Sequence, residues 1–450
     1  MKSVAESLSN RLRTASSGAL AVWCGVVAFV TYVCMYGFRK PFSAATFEDE
    51  ASAPLDLDFK TALILSQVAG YMLSKFTGIR VISAMQAAGR IPLLLLLILW
   101  AWLALLLLPL LPAPWNVLAL FLNGLPLGMV WGIVFSYLEG RKITEVAGAM
   151  LCGSFILGSS VTQSVGRWLV LEGRVAELWM PFIAGAVFVP ALLVFSWLLS
   201  LTPPPRPEDI RERSARHPMN ARQRVDYFTR FAPGLCLLVM AYMLLTMLRE
   251  VTGNFAVELW IELGFGDTPS IFATTAIPIT LLVLSAVALI AFVRGNRNAV
   301  AANHLLIGGG FLLTLVATLA FQWDVIGGVV WMVLLSTGLY AAYIPFNCIL
   351  FDRLVAATGG IANAGFLIYV ADSFGYLAGA LVLLYRSFGQ RSGGGLTSGG
   401  DAEMLSWVEF TVSGSTWAGL LGLVLTLLSW LYFNRRLQEG AGMSSRLVAA

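Results

Sequence analysis

The chain has 450 residues, 58% of them hydrophobic and 12% charged, with a formal net charge of +4. Soluble domains carry roughly 25% charged residues, so this composition excludes an ordinary water-soluble protein and makes lipid the solvent. A net charge this small says little about partners; the placement of the charges says more.

The first eighteen residues carry Lys2, Arg11 and Arg13. No small-residue cleavage site follows the first apolar run, which reads as a retained membrane helix and not as a signal peptide. A helix needs about 20 apolar residues to cross the hydrocarbon core. On that criterion twelve spans are predicted, near 19–47, 59–78, 91–111, 115–138, 146–171, 177–201, 231–260, 268–293, 303–322, 327–351, 359–386 and 409–433. The first and seventh run past an arginine into amphipathic stretches, which predicts long, bent helices. The cysteines (Cys24, Cys34, Cys152, Cys236 and Cys348) lie in apolar segments without zinc or CxxC spacing and read as packing residues. His217 and His304 are placed in or beside loops, leaving no histidine in any span.

The stretch 202–230, TPPPRPEDIRERSARHPMNARQRVDYFTR, combines prolines and charges without apolar periodicity and reads as a cytoplasmic linker. Its arginines serve as an orientation signal and not as a nucleic-acid site. SFGQRSGGGLTSGGDAE, before the last span, reads as a flexible outward loop. With both termini inside, the cytoplasmic segments hold most of the basic residues. The opposite loops hold Glu48, Asp49, Glu50, Asp56, Asp58, Glu262, Asp267 and Asp324. That asymmetry is the positive-inside signal. The organisation is a cytoplasmic N-terminus (1–18), a six-helix bundle (19–201), the linker (202–230), a second bundle (231–433) and a cytoplasmic tail (434–450).

Two segments repeat one pattern: Tyr32-x6-Arg39-x8-Glu48 in the first span and Tyr242-x6-Arg249-x8-Glu258 in the seventh. An arginine at mid-membrane costs roughly 2.5–3.5 kcal/mol on translocon scales, so two at matching positions point to one anion site across a pseudo-twofold axis. Tyr32, Tyr36 and Arg39 are spaced by four and three, as are Tyr242, Thr246 and Arg249, which predicts one helical face each. A guanidinium is a planar fork suited to phosphate or carboxylate. Lys75, after Tyr71 in the second span, is read either as a third cavity cation or as the start of a basic loop. Asp372, in the eleventh span with Tyr369 and Tyr376 on its face, must be paired, protonated or hydrated at that depth. It is read as an ion-pair partner of Arg249 or Arg39, as a proton-coupling site, or as a structural carboxylate. Tyr340, Tyr343 and Asn347 are candidate cavity residues in the tenth span, and Gln163 with Arg167 a candidate gate in the fifth. Glu139 with Arg141, and Asp352 with Arg353, read as braces at helix ends.

Six spans plus six, with a basic central linker, resemble the architecture of the major facilitator superfamily. YVCMYGFRKPF, ending at Phe42, YMLSKF at 71–76, LLTMLRE at 244–250 and FGYLAG at 374–379 resemble segments of the organophosphate:phosphate antiporters, the glycerol-3-phosphate and hexose-phosphate transporters. The resemblance implies that Arg39 and Arg249 hold phosphate and that Lys75 is a cavity lysine. The chain departs from that family at Leu157, where a histidine is expected. The signature between spans two and three keeps only Gly78, Arg80, Gly89 and Arg90, and Asp372 is an addition.

These readings predict an all-α polytopic membrane protein of twelve transmembrane helices in two pseudo-symmetric halves, with no cofactor and no metal. The expected function is transport of a small anionic solute, an organophosphate or phosphate, by a monomer in the bacterial inner (plasma) membrane. The alternatives are a proton-coupled symporter using Asp372 and a non-transporting sensor with a cytoplasmic partner. An enzyme is disfavoured, because no acid–base–nucleophile set or metal motif is visible.

Overall fold

The computed structural model describes residues 2–48, 50, 57–83, 89–138, 144–205, 221–359, 364–389 and 405–449. The described residues form sixteen α-helices and no strand: α1 (Lys2–Thr14), α2 (Ser17–Tyr36), α3 (Phe59–Ser83), α4 (Arg90–Leu110), α5 (Val117–Phe135), α6 (Thr144–Leu171), α7 (Met180–Ser200), α8 (Ala221–Arg230), α9 (Ala232–Asn254), α10 (Ala256–Glu262), α11 (Ile271–Ala291), α12 (Asn296–Gln322), α13 (Gly328–Cys348), α14 (Leu350–Thr358), α15 (Ala364–Leu384) and α16 (Trp407–Ala449). Eleven are long and apolar enough to cross a membrane. The twelfth long helix is α3, where Lys60, Gln67, Ser74, Lys75 and Arg80 lower the hydropathy.

The first span is shorter than its apolar run suggests. Ser16 caps α2 by accepting from the Ala19 N–H at 3.2 Å. The helix stops at Tyr36 because Pro41 has no N–H to continue the ladder. The Lys40 N–H still reaches the Tyr36 carbonyl at 2.9 Å, and a 3₁₀ helix then starts at Pro41 and ends at Ala44. Arg39 therefore sits in a turn after the helix, which corrects the expected continuous face of Tyr32, Tyr36 and Arg39. Arg249, by contrast, lies within α9 together with Tyr242 and Thr246. The seventh span does bend: α9 ends at Asn254, and α10 restarts after Phe255. Histidine placement also needs correcting, since α12 begins at Asn296 and carries His304 into a span, buried at 3% exposure.

The chain forms two compact units, one of Met1–Arg213, Thr252–Ile277 and Leu383–Trp407, the other of Ser214–Val251, Pro278–Val382 and Val408–Ala450. In the first, α3 and α5 cross so closely that a Cβ on Gly70 would lie 2.2 Å from the Phe121 carbonyl oxygen, and one on Gly124 2.3 Å from that of Gln67. In the second, Gly310 of α12 and Gly338 of α13 each face the other's carbonyl oxygen, with a Cβ 2.4 and 2.5 Å away. Lipid tails supply no hydrophobic drive between helices, so backbone contact through glycine is what holds such pairs. The linker and the outward loop are outside the described residues except for 202–205, α8 and 387–389.

Candidate functional site

In the first unit the Arg39 turn is held by a buried amide pair. Asn123 of α5 donates to the carbonyls of Phe38 at 2.9 Å and Ala101 at 2.8 Å. Its own oxygen accepts from Gln67 of α3 at 2.8 Å, while Gln67 also donates to the Arg39 carbonyl at 3.1 Å. With its backbone so fixed, the Arg39 side chain, 8% exposed, lies over the Tyr71 ring at 4.3 Å and near Tyr36 at 5.9 Å. Lys75 lies over the same Tyr71 ring at 5.5 Å. Two cations therefore lie against one aromatic ring, a guanidinium fork and an ammonium, both of the kind that oxyanions take. Tyr32 is 1% exposed and packs edge-on against Tyr36, Trp131 and Phe155.

In the second unit the structure brings together Tyr242, Arg249, Tyr343, Tyr376 and Asp372. Arg249 donates from Nη1 to the Tyr343 hydroxyl at 2.5 Å and forms an ion pair with Glu250 through Nη2 at 2.6 Å. Its guanidinium lies 4.7 Å from the Tyr343 ring and 5.6 Å from the Tyr376 ring. The hydroxyls of Tyr343 and Tyr242 are 2.9 Å apart, and Tyr242 donates to Asp372 Oδ1 at 2.5 Å. A carboxylate only accepts. With Asp372 ionised, Tyr242 commits its one proton to it, Tyr343 donates to Tyr242, and Arg249 donates to Tyr343. Asp372 is thus joined to Arg249 through two hydroxyls, and the ion pair is with Glu250, a residue that the reading of Arg249 left out. Gly375 and Gly379 of α15 make room for this arrangement. A Cβ on Gly375 would lie 2.7 Å from Thr246 Oγ1, and one on Gly379 2.8 Å from Glu250 Cγ.

The remaining tyrosines are more peripheral. Tyr340 meets Tyr343 edge-on at 6.4 Å, Asn347 donates to the Tyr343 carbonyl at 3.2 Å, and Tyr369 is partly exposed. Arg353 donates to Asn296 at 3.1 Å. Glu139 and Arg141 lie outside the described residues. His304 bridges the Val300 carbonyl at 2.8 Å and Ser429 Oγ at 3.1 Å. Among the described residues no group of His, Cys, Asp and Glu is placed to hold a metal ion.

A second polar centre in the first unit was missed from sequence. Lys60, 1% exposed, pairs with both carboxylate oxygens of Glu258 at 2.6 and 2.8 Å and donates to the Ser43 carbonyl at 3.0 Å. Beside it Lys40 bonds Asn254, and Gln163 donates to Ser43 Oγ and to the Gly253 carbonyl, each at 2.7 Å. Arg167 donates to the Gly266 carbonyl from Nε and Nη2 at 3.1 and 3.0 Å. These contacts tie segments far apart in sequence, and the signal that could have found Lys60 is a lysine one residue inside a predicted span.

A family model described as a family of unknown function (DUF5690) matches residues 41–436. No curated protein matches the chain. Among solved structures, a D-xylose–proton symporter is 16% identical with a TM-score of 0.59, over 91% of this chain and 97% of that one. A mutant of the nucleoside transporter NupG is 14% identical, with a TM-score of 0.57 over 91% and 99%. The human organic anion transporter MFSD10 is 15% identical, with a TM-score of 0.55 over 92% and 100%. At these identities the likeness establishes the fold, which is that of the major facilitator superfamily, the group named for a further xylose symporter at TM-score 0.52.

Proposed function

The chain belongs to the DUF5690 family of unknown function, and from that premise and its fold we propose that it is an alternating-access secondary transporter of a small anionic solute. The observation that carries this reading is that each of the two repeated arginines is turned onto a tyrosine ring, Arg39 onto Tyr71 and Arg249 onto Tyr343. Guanidinium forks and a nearby ammonium, Lys75, favour a tetrahedral oxyanion, so the solute class is an organophosphate or inorganic phosphate. The sequence repeat supports both arginines serving one solute. A dianion neutralises two positive charges that are otherwise held by protein groups, and occupancy thereby changes which closed state is favoured. The basic loops support a bacterial inner-membrane protein with both termini cytoplasmic.

The test is counterflow in proteoliposomes loaded with phosphate and offered labelled phosphate and a small panel of organophosphates. Wild type is expected to exchange, and Arg39→Ala and Arg249→Ala to lose exchange while remaining folded. Unimpaired exchange in either variant would remove that arginine from the site. Binding without flux would mark a sensor instead.

A further inference from the structure

We propose that the groove between α12 and α16 binds one anionic phospholipid, with an acyl chain along the groove and the headgroup on Arg297. The site lies on the lipid-facing surface, so the inference goes beyond the solute reading above and does not depend on it.

The two helices run antiparallel, with Arg297 meeting Asn434, His304 meeting Ser429 and Gly308 packed against Thr426. Ala301, Leu305 and Leu312 line one wall of the groove between them, and Leu423, Leu427 and Trp430 the other. Its volume is about 700 Å³, roughly twenty times the share of one water molecule, so it is no packing defect. The wall is open where α12 is bare: a Cβ on Gly309 would meet nothing within 4 Å. The polar atoms of His304 and Thr426, which also line it, are turned to other partners. His304 takes the Val300 carbonyl and Ser429, and Thr426 donates to the Gly422 carbonyl at 2.7 Å. Water needs two to four polar partners to stay in such a space, and at hydrocarbon depth the group that fills it is an acyl chain. From Ala301 to Leu312 the helix rises about 16 Å, close to half of the ~30 Å hydrocarbon core, which is the reach of one chain from one leaflet.

The charge at one end selects the lipid. Arg297 stands one turn before Ala301 on its wall, and Asn434 one turn beyond Trp430 on the other. Arg297 Nη2 donates to Asn434 Oδ1 at 3.1 Å, so a guanidinium closes this end of the groove. Arg294, Arg435 and Arg436 lie within three residues of that contact along the chain, and all four arginines are exposed. Glu439 meets Arg436 at 3.6 Å and leaves these groups net positive. A basic cluster at the end of an apolar groove fits a negatively charged phosphodiester headgroup with its chain attached. Trp430 is one turn inside, where an indole meets the headgroup region.

The experiment is native mass spectrometry of the full-length protein released from nanodiscs. The discs hold equal amounts of phosphatidylglycerol and phosphatidylcholine with the same acyl chains. Wild type is expected to retain one phosphatidylglycerol in preference to phosphatidylcholine. Gly309→Phe fills the groove and is expected to lose the retained lipid; Ala301→Phe does the same should the first variant not fold. Arg297→Gln keeps a donor for Asn434 and is expected to lower the preference for the anionic lipid about fivefold, whereas Arg297→Lys retains it. Equal retention of the two lipids by wild type overturns the proposal. So does a folded groove-filling variant that holds phosphatidylglycerol as wild type does. A dimer that the groove-filling variants abolish overturns it as well, by giving the groove to a second copy of the chain.

Discussion

Lys60→Met removes a cation that is 1% exposed and makes three short polar contacts, two with Glu258 and one with the Ser43 carbonyl. Breaking one partner of a buried ion pair costs about 3–5 kcal/mol, because the other charge is left uncompensated. Glu258 is 15% exposed and gains some water in the variant, so the lower end applies, about 3 kcal/mol. That figure shifts the equilibrium for separating α3 from α10 roughly 150-fold. Ala45, with 0% exposure, reports on it. In a cysteine-depleted background, Ala45→Cys is expected to be protected from a thiol reagent in detergent, and Lys60→Met to raise its labelling rate strongly. Replacing both partners, Lys60→Met with Glu258→Met, is expected to return most of the loss, since an apolar pair needs no countercharge. Equal labelling of wild type and variant, or a double variant as perturbed as the sum of the singles, would refute the reasoning.

Two further outcomes follow from the packing. Asn123→Leu removes three buried hydrogen bonds, to Phe38, Ala101 and Gln67, at about 0.5–1.5 kcal/mol each. It should lower stability in detergent by about 2–4 kcal/mol and loosen the Arg39 turn, weakening phosphate binding beyond the stability loss; an unchanged melting temperature would contradict the assigned network. Gly375→Ala places a Cβ 2.7 Å from Thr246 Oγ1 and 2.9 Å from the Tyr242 ring and should cost about 1–3 kcal/mol by overpacking. Gly309→Ala meets nothing within 4 Å and serves as the control, expected to melt with wild type.

The spans were legible because they depend on local properties. An apolar run of sufficient length makes a helix in lipid whatever it packs against, since backbone groups find partners nowhere else. Arg39, Arg249 and Asp372 stood out for the same reason: a charge within an apolar run is visible without knowing its neighbours. The misreadings occurred where a local signal was ambiguous. NRNAVAANH looks like a loop, yet it is the first turns of α12, with His304 satisfied by its own helix and by Ser429. The Tyr32–Arg39 spacing looks helical, yet Pro41 stops the ladder first.

What the sequence determined by itself was the membrane class, the number and order of long helices, and the short list of charged residues that lipid would not tolerate without a role. Tertiary structure alone decided their partners. Lys60 and Glu258 are 198 residues apart, and Tyr242 and Asp372 are 130 apart. Glu250 follows Arg249 directly, yet neighbours on a helix point about 100° apart, so sequence adjacency does not predict a 2.6 Å ion pair. That pair exists because Gly379 leaves space for the Glu250 stem and Tyr343 occupies the other half of the fork. Charge is written along the chain, whereas the partner that compensates it is chosen by how the helices pack.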